Sequence, residues 1–311
     1  MKNNKPNILI SHTDLHSFSS FWLLEVLVDF FNIIRHEAEP SFDPSRTIVI
    51  KNGLNTDNFW YTKYIEQGCK LVEDDLWDQP VSKGSSITND KLIIRNKNWF
   101  WFNESLRWQY NGYNNYISKK NNNKHFLLLM AKEKPHRNFL YENLKDYIDK
   151  SIFSYVGKGI ALENNINSDT GTWHTDILPS WFNDTVFSIV AETWMHGSTF
   201  VSEKTFKPIA FKHPFITAGT AGTLAYLRQE QFETFEHLID ESYDSIPDET
   251  RRLARVTNEV KRLIADKVLF DDPISLEKIE HNFNLFYNRN YIIEQLENTL
   301  VKELLDYVES A

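Results

Sequence analysis

Short apolar runs alternate with amphipathic stretches along most of this chain, and that alternation constrains its fold more than any other feature. The runs at 7–11, 47–51, 91–95, 125–131, 152–157, 186–192 and 214–219 are four to eight residues long and carry few charges, as buried parallel strands do. Between them lie helix candidates at 22–38, 59–68, 138–150, 202–212 and 221–230. Strand, loop and helix repeating at this spacing predict parallel sheets with right-handed crossovers. The polar stretch SKKNNNK at 118–124 interrupts the pattern, which then restarts, so the expectation is an α/β domain over 1–120 and a second over 121–311. Three more helical segments (246–270, 272–288 and 291–308) make a helical C-terminal tail. Two Rossmann-like domains put the loops at their strand C-termini on a shared crevice, where function is expected.

Composition narrows the class. The 311 residues are 41% hydrophobic and 14% aromatic, enough for two cores. A single cysteine, Cys69, excludes an internal disulfide and any multi-cysteine metal site, which suits a reducing compartment. The N-terminal MKNNKPNILIS does not have the layout of a secretion signal, and no window nears the roughly 18 apolar residues of a membrane span. The expectation is a cytoplasmic protein. The net charge of −9 is uneven: 230–249 holds eight carboxylates and no Lys or Arg, while 91–120 holds six Lys/Arg against one acid, Glu104. An anionic partner is therefore expected on the first half.

The densest chemistry lies at 192–215, ETWMHGSTFVSEKTFKPIAFKHPF. Glu192 closes an apolar run, and Ser202, Glu203 and Lys204 open a helix that also carries Lys207. A lysine in a first turn, beside free backbone N–H groups, is placed for a phosphate. Carboxylates for sugar hydroxyls beside cations for a diphosphate are what a nucleotide-sugar donor needs, although Glu203 and Lys207, four apart, also suit a salt-bridged surface helix. Arg137 follows a strand in KEKPHRNF and is a second candidate phosphate ligand. A third is the small-residue turn AGTAGT at 218–223, where the backbone at Gly219 and Gly222 suits an anion nest.

On the acceptor side, the loop HTDLH offers Asp14 as candidate general base, with His12 or His16 next; Asp14 also suits a helix cap. The aromatic and basic run around Lys97, Trp99, Trp101 and Arg107 suits stacking on bases or sugars, or equally a half-buried helix. Histidine spacing gives no third metal ligand, so no metal is expected.

The segment FVSEKTFKPIAFKHPFITAGTAGTLAYL…FETFEHLIDESYD resembles a signature of GT-B-type glycosyltransferases, many of them in phage and other viral genomes. It is similar, more loosely, to the Glu-Lys donor motif of α1,3-fucosyltransferases. HFLLLMAKEKPHRNFLYENL is similar to the first strand, loop and helix of the donor domain in the same group. The likeness covers about 124–245 and is essentially absent over 1–120. It implies that Glu203 holds donor ribose hydroxyls, that Lys204, Lys207 and Arg137 neutralise the diphosphate, and that Glu192 lies near the donor sugar. It departs at Gln231, where glycine is expected before Phe232. The implied activity is metal-independent, inverting transfer from a nucleotide-diphosphate sugar to an acceptor hydroxyl. The acceptor is either a hydroxymethylated base in duplex phage DNA, receiving glucose or arabinose, or a glycan or lipopolysaccharide. A non-catalytic nucleotide- or sugar-binding module and a structural phage protein are the readings from other classes.

Overall fold

The computed structural model describes residues 5–10, 20–35, 41–52, 60–74, 91–94, 98–162 and 178–310. They form two compact units, Met1–Arg107 with Asn288–Ala311, and Trp108–Tyr287. The division thus falls 13 residues before the expected one, within the helix Asn98–Tyr110, and the last helices belong with the first unit.

In the first unit the strands β1 (Asn7–Ile10), β2 (Asn32–Arg35), β3 (Thr47–Asn52), β4 (Lys70–Asp74) and β5 (Lys91–Ile94) form one parallel sheet in the order β2-β1-β3-β4-β5. Its helices are α1 (Ser20–Leu27), α2 (Thr62–Glu66) and α3 (Asn98–Tyr110). Two strands went unread in the sequence. The stretch expected as one helix over 22–38 ends at Leu27 and returns as β2. Asn32 explains the break: its side chain donates to the Lys5 carbonyl at 3.0 Å and to Asn7 Oδ1 at 3.1 Å. The Asn7 amide in turn reaches Thr47 Oγ1 at 3.1 Å, so three neighbouring strands share one polar ladder. β4 reads KLVED, whose charged ends hide a strand; Gly68, with φ +97, makes the turn that starts it.

The second unit carries β6 (Lys124–Met130), α4 (Pro135–Leu144), β7 (Ile152–Tyr155), α5 (Pro179–Asp184), β8 (Thr185–Ala191), α6 (Glu203–Ala210), β9 (Phe215–Ala218), α7 (Thr223–Gln229), α8 (Glu249–Ala265) and α9 (Pro273–Phe286). Its strands are all parallel, in the order β7-β6-β8-β9. Every residue of β8 is buried, which is why it reads as a largely apolar run with only Thr185 and Ser188 polar. Inside this core His213 donates from Nε2 to the Thr185 carbonyl at 2.9 Å and accepts the Ser188 hydroxyl at Nδ1, 2.8 Å away. Burial pushes that imidazole well below its ordinary pKa, so it is a neutral core residue. The helices α10 (Arg289–Leu296) and α11 (Lys302–Glu309) complete the first unit.

The expected class is therefore present: two parallel-sheet α/β units and a helical C-terminal segment.

Candidate functional site

The C-terminal ends of β6 and β8 and the start of α6 converge on a cavity of about 390 Å³ in the second unit. In open parallel sheets ligands bind at the carboxyl ends of the strands, where the order of connection reverses. β6, flanked by β7 and β8, is at that position.

The loop after β6 is short because Pro135 starts α4 at once, its fixed φ being ready for a first helical turn. That puts Arg137 in the first turn of α4, with Lys132 and Lys134 just before it. All three border the cavity. The Arg137 side chain is 4% exposed. Nη1 donates to the Lys132 carbonyl at 3.1 Å, Nη2 reaches only to 3.5 Å from the Ala191 carbonyl, and the buried Nε has no hydrogen-bond partner. Burial lowers its pKa, with Glu192 the largest opposing charge. A buried guanidinium held by carbonyls, with its Nε–H unmatched, has the chemistry to accept an anion.

Lys134 donates to the Thr193 carbonyl at 3.0 Å, and its ammonium stands 4.2 Å from the centre of the Trp194 ring. Burial first, then the charges of Arg137, Lys204 and Lys132, push it below its ordinary value. These cations repel one another, and an anion among them would relieve the repulsion.

α6 begins at Ser202, which caps it with extended backbone; its hydroxyl accepts the Lys204 amide at 3.4 Å. The Lys204 ammonium donates to Glu203 at 2.8 Å, to Ser202 Oγ at 3.1 Å and to Thr193 Oγ1 at 3.3 Å. Burial works against its charge, but Glu203 and Glu192 outweigh it and hold the pKa above the ordinary value. Lys204, Glu203 and Lys207 all border the cavity, whose remaining wall is largely apolar, including Leu129, Val190, Trp181 and Phe182.

Of the residues singled out in the sequence, Arg137, Glu203, Lys204 and Lys207 thus come together on one cavity. Lys132, Lys134 and Thr193 belong with them and were passed over, although KEKPHR shows its lysines openly. Ser202 lies behind the wall as the cap. Glu192 is 0% exposed and its carboxylate is turned inward onto the start of α6.

The AGTAGT turn does something else. The Gly222 amide donates to the Asp244 carbonyl at 2.8 Å, and the Leu224 and Ala225 amides donate to the Asp244 carboxylate at 2.9 and 3.0 Å. Asp244 thus takes the Gly222 amide through its carbonyl and the first amides of α7 through its carboxylate, so this helix start already has an anion from the same chain. Behind it Arg252, 1% exposed, donates to the Gly219 and Pro247 carbonyls at 2.9 and 3.0 Å and also to those of Met195 and Ile246. It clamps the loop after β8 to the loop after β9.

On the first unit, Trp101 is 0% exposed, with its ring 4.4 Å from that of Phe102 and stacked at 6.3 Å on Tyr291. Arg107 is buried and paired with Glu104. Neither presents a face for stacking or a cation for phosphate: the aromatic and basic run is inward-facing at these two positions, because α3 packs on the core. Asp14, His12, His16 and Lys97 lie outside the described residues, as does the side chain of Trp99. Among the described residues no three His, Cys, Asp or Glu side chains meet to hold a metal, and no helix is long and apolar enough to cross a membrane.

No protein-family model and no curated protein matches this chain. Among solved structures it is similar to α1,3-fucosyltransferase crystal structures. The structure with GDP is 12% identical, TM-score 0.45, over 94% of this chain and 92% of that one. The structure with GDP-fucose is 12% identical, TM-score 0.47, over 93% and 90%. A third is 13% identical, TM-score 0.47, over 88% and 91%. At this distance the site has to be read from its own geometry.

Proposed function

We propose that the second unit binds a nucleotide-diphosphate sugar in this cavity and that the chain is a GT-B-type glycosyltransferase. The observation that carries the reading is the buried Arg137 guanidinium with its unpartnered Nε, bordering the same cavity as Lys132, Lys134, Lys204 and Lys207. A diphosphate would neutralise the cluster, and the apolar wall would take the nucleoside. Glu203 is at the same edge for ribose hydroxyls. During transfer the bond from the anomeric carbon to the diphosphate breaks, and charge builds on the leaving oxygen. Preformed cations at that point lower the barrier without a reorganisation step. The same cations let the transfer proceed without a metal.

The acceptor hydroxyl must lose a proton, and Asp14 with His12 remains the proposed base, giving inversion at the anomeric carbon. Trp101 and Arg107, being buried, do not contribute to an acceptor surface, so a hydroxymethylated base in duplex DNA and a glycan stand as two arms of one test. The purified protein is incubated with a panel of nucleotide sugars and either acceptor, and release of nucleoside diphosphate is followed. Sugar on DNA or on glycan identifies the acceptor. Binding of nucleotide sugar without turnover or slow hydrolysis would contradict transfer and leave a non-catalytic binding module.

A further inference from the structure

Glu192 is a wholly buried carboxylate at the centre of the candidate site, yet it does not border the cavity. Its oxygens are saturated. Oε1 accepts the Ser202 amide at 2.9 Å and the Thr205 hydroxyl at 2.7 Å. Oε2 accepts the Ser202 hydroxyl at 2.5 Å and the Thr193 amide at 3.3 Å. Four acceptor positions are about what a carboxylate has, so none is left for a sugar hydroxyl.

What Glu192 touches is more telling than what it misses. Through Ser202 and Thr205 it grips the first turn of α6, and the same Ser202 hydroxyl accepts the Lys204 ammonium. The Thr193 amide it holds belongs to the residue whose hydroxyl takes Lys204 and whose carbonyl takes Lys134. Its own carbonyl accepts Nε2–H of His136, the residue beside Arg137 in α4, at 2.9 Å. Its own amide donates to the Ala218 carbonyl, at the end of β9. One residue therefore ties α4, β9, α6 and the loop after β8 together, with a cation one bond or one residue away on three sides.

We propose that Glu192 is a positioning residue: it fixes the spacing between Arg137, Lys134 and Lys204 so that two neighbouring phosphates are held at once. The inference rests on the donor reading above. Glu192 acts through the cations and does not meet the donor sugar, where the sequence resemblance put it. A site set to a spacing should lose its preference for two phosphates when the spacing is freed, while a single phosphate, needing fewer cations in register, is held as before.

The test compares Glu192→Gln with wild type by calorimetry, using nucleoside mono- and diphosphates of guanine, uracil, adenine and cytosine and the matching nucleotide sugars. The variant keeps the shape but lacks an acceptor for every donor. For the base that binds wild type, the diphosphate and the nucleotide sugar should both weaken about tenfold, the scale of one charged hydrogen bond, with the monophosphate unchanged. Loss for the nucleotide sugar alone would mean that Glu192 meets the sugar, and equal loss for all three ligands would mean a merely structural role; either overturns the proposal. If wild type binds no diphosphate, the donor reading itself fails, and the proposal with it. Ser202→Ala and Thr205→Val, which each remove one donor, give the same comparison should Glu192→Gln not fold.

Discussion

The turns that lead into α6 and α7 look alike in sequence, both small, polar and placed just after a β-strand or its loop, and they end up with opposite characters. Each has its amides held by an internal carboxylate, Glu192 at Ser202 and Thr193, Asp244 at Leu224 and Ala225. The difference is the charge left over. Around Glu192 stand Arg137, Lys134 and Lys204, so that region stays cationic after its own carboxylate is counted, and it opens on a cavity. Beside Asp244 the buried Arg252 gives its donors to carbonyl oxygens. A helix start becomes a site for an outside anion when surrounding cations outnumber the anions built in. Backbone amides alone do not decide it.

Acid should separate the two regions most. Burial, opposed by the hydrogen bond to the Glu192 carbonyl and reinforced by Arg137, Lys134 and His196, pushes His136 down to about 4. The folded protein therefore keeps this ring neutral while an unfolded chain protonates it near its ordinary value of 6.5. Stability is full above pH 6.5 and falls as pH drops toward 4, by up to about 3 kcal/mol, then stops falling from this cause. Chemical denaturation across that range should show the slope, and His136→Gln should flatten it; an unchanged slope in the variant would assign the loss elsewhere.

Next in size, Arg137→Ala should weaken nucleoside diphosphate binding by about a hundredfold, close to 3 kcal/mol, because a desolvated charged contact is lost. Asp244→Ala should behave in the converse way. It strands the buried Leu224 amide and the part-buried Ala225 amide and costs about 2 kcal/mol of stability, read as a fall in denaturation midpoint, with nucleotide affinity unchanged. If Asp244→Ala instead weakened the ligand, the two turns would form one site and the contrast would collapse.

The smallest effect concerns the far end of α7. Gln231 has φ +69, the left-handed conformation that glycine accepts without cost, and its amide closes the helix onto Arg228. The glycine expected there from the sequence likeness thus has a backbone reason, and Gln231→Gly should stabilise by up to about 1 kcal/mol, measurable as a small rise in melting temperature.

The sequence disclosed what depends on local pattern. β6 and β8 stood out because both faces of each are covered and nearly every side chain is apolar. The helix start at Ser202-Glu203-Lys204 was legible, and Arg137 was read just ahead of a helix at 138 that in fact begins at Pro135. What stayed hidden depends on distant partners. β2 was buried in an apolar run that reads as helix until Asn32 is seen to bond with Asn7. Asp244 lies in an acidic stretch with nothing to mark it as the anion for amides 20 residues earlier. Trp101 and Arg107 showed their chemistry but not their direction, since an aromatic and basic helix reads the same whether it faces solvent or core.

The measurement that bears most directly on the central claim is a calorimetric titration of nucleoside diphosphates into wild type, Arg137→Ala and Asp244→Ala side by side. The account predicts binding to wild type, about a hundredfold loss in Arg137→Ala, and wild-type affinity in a less stable Asp244→Ala. No binding to wild type, or full affinity in Arg137→Ala, would contradict it.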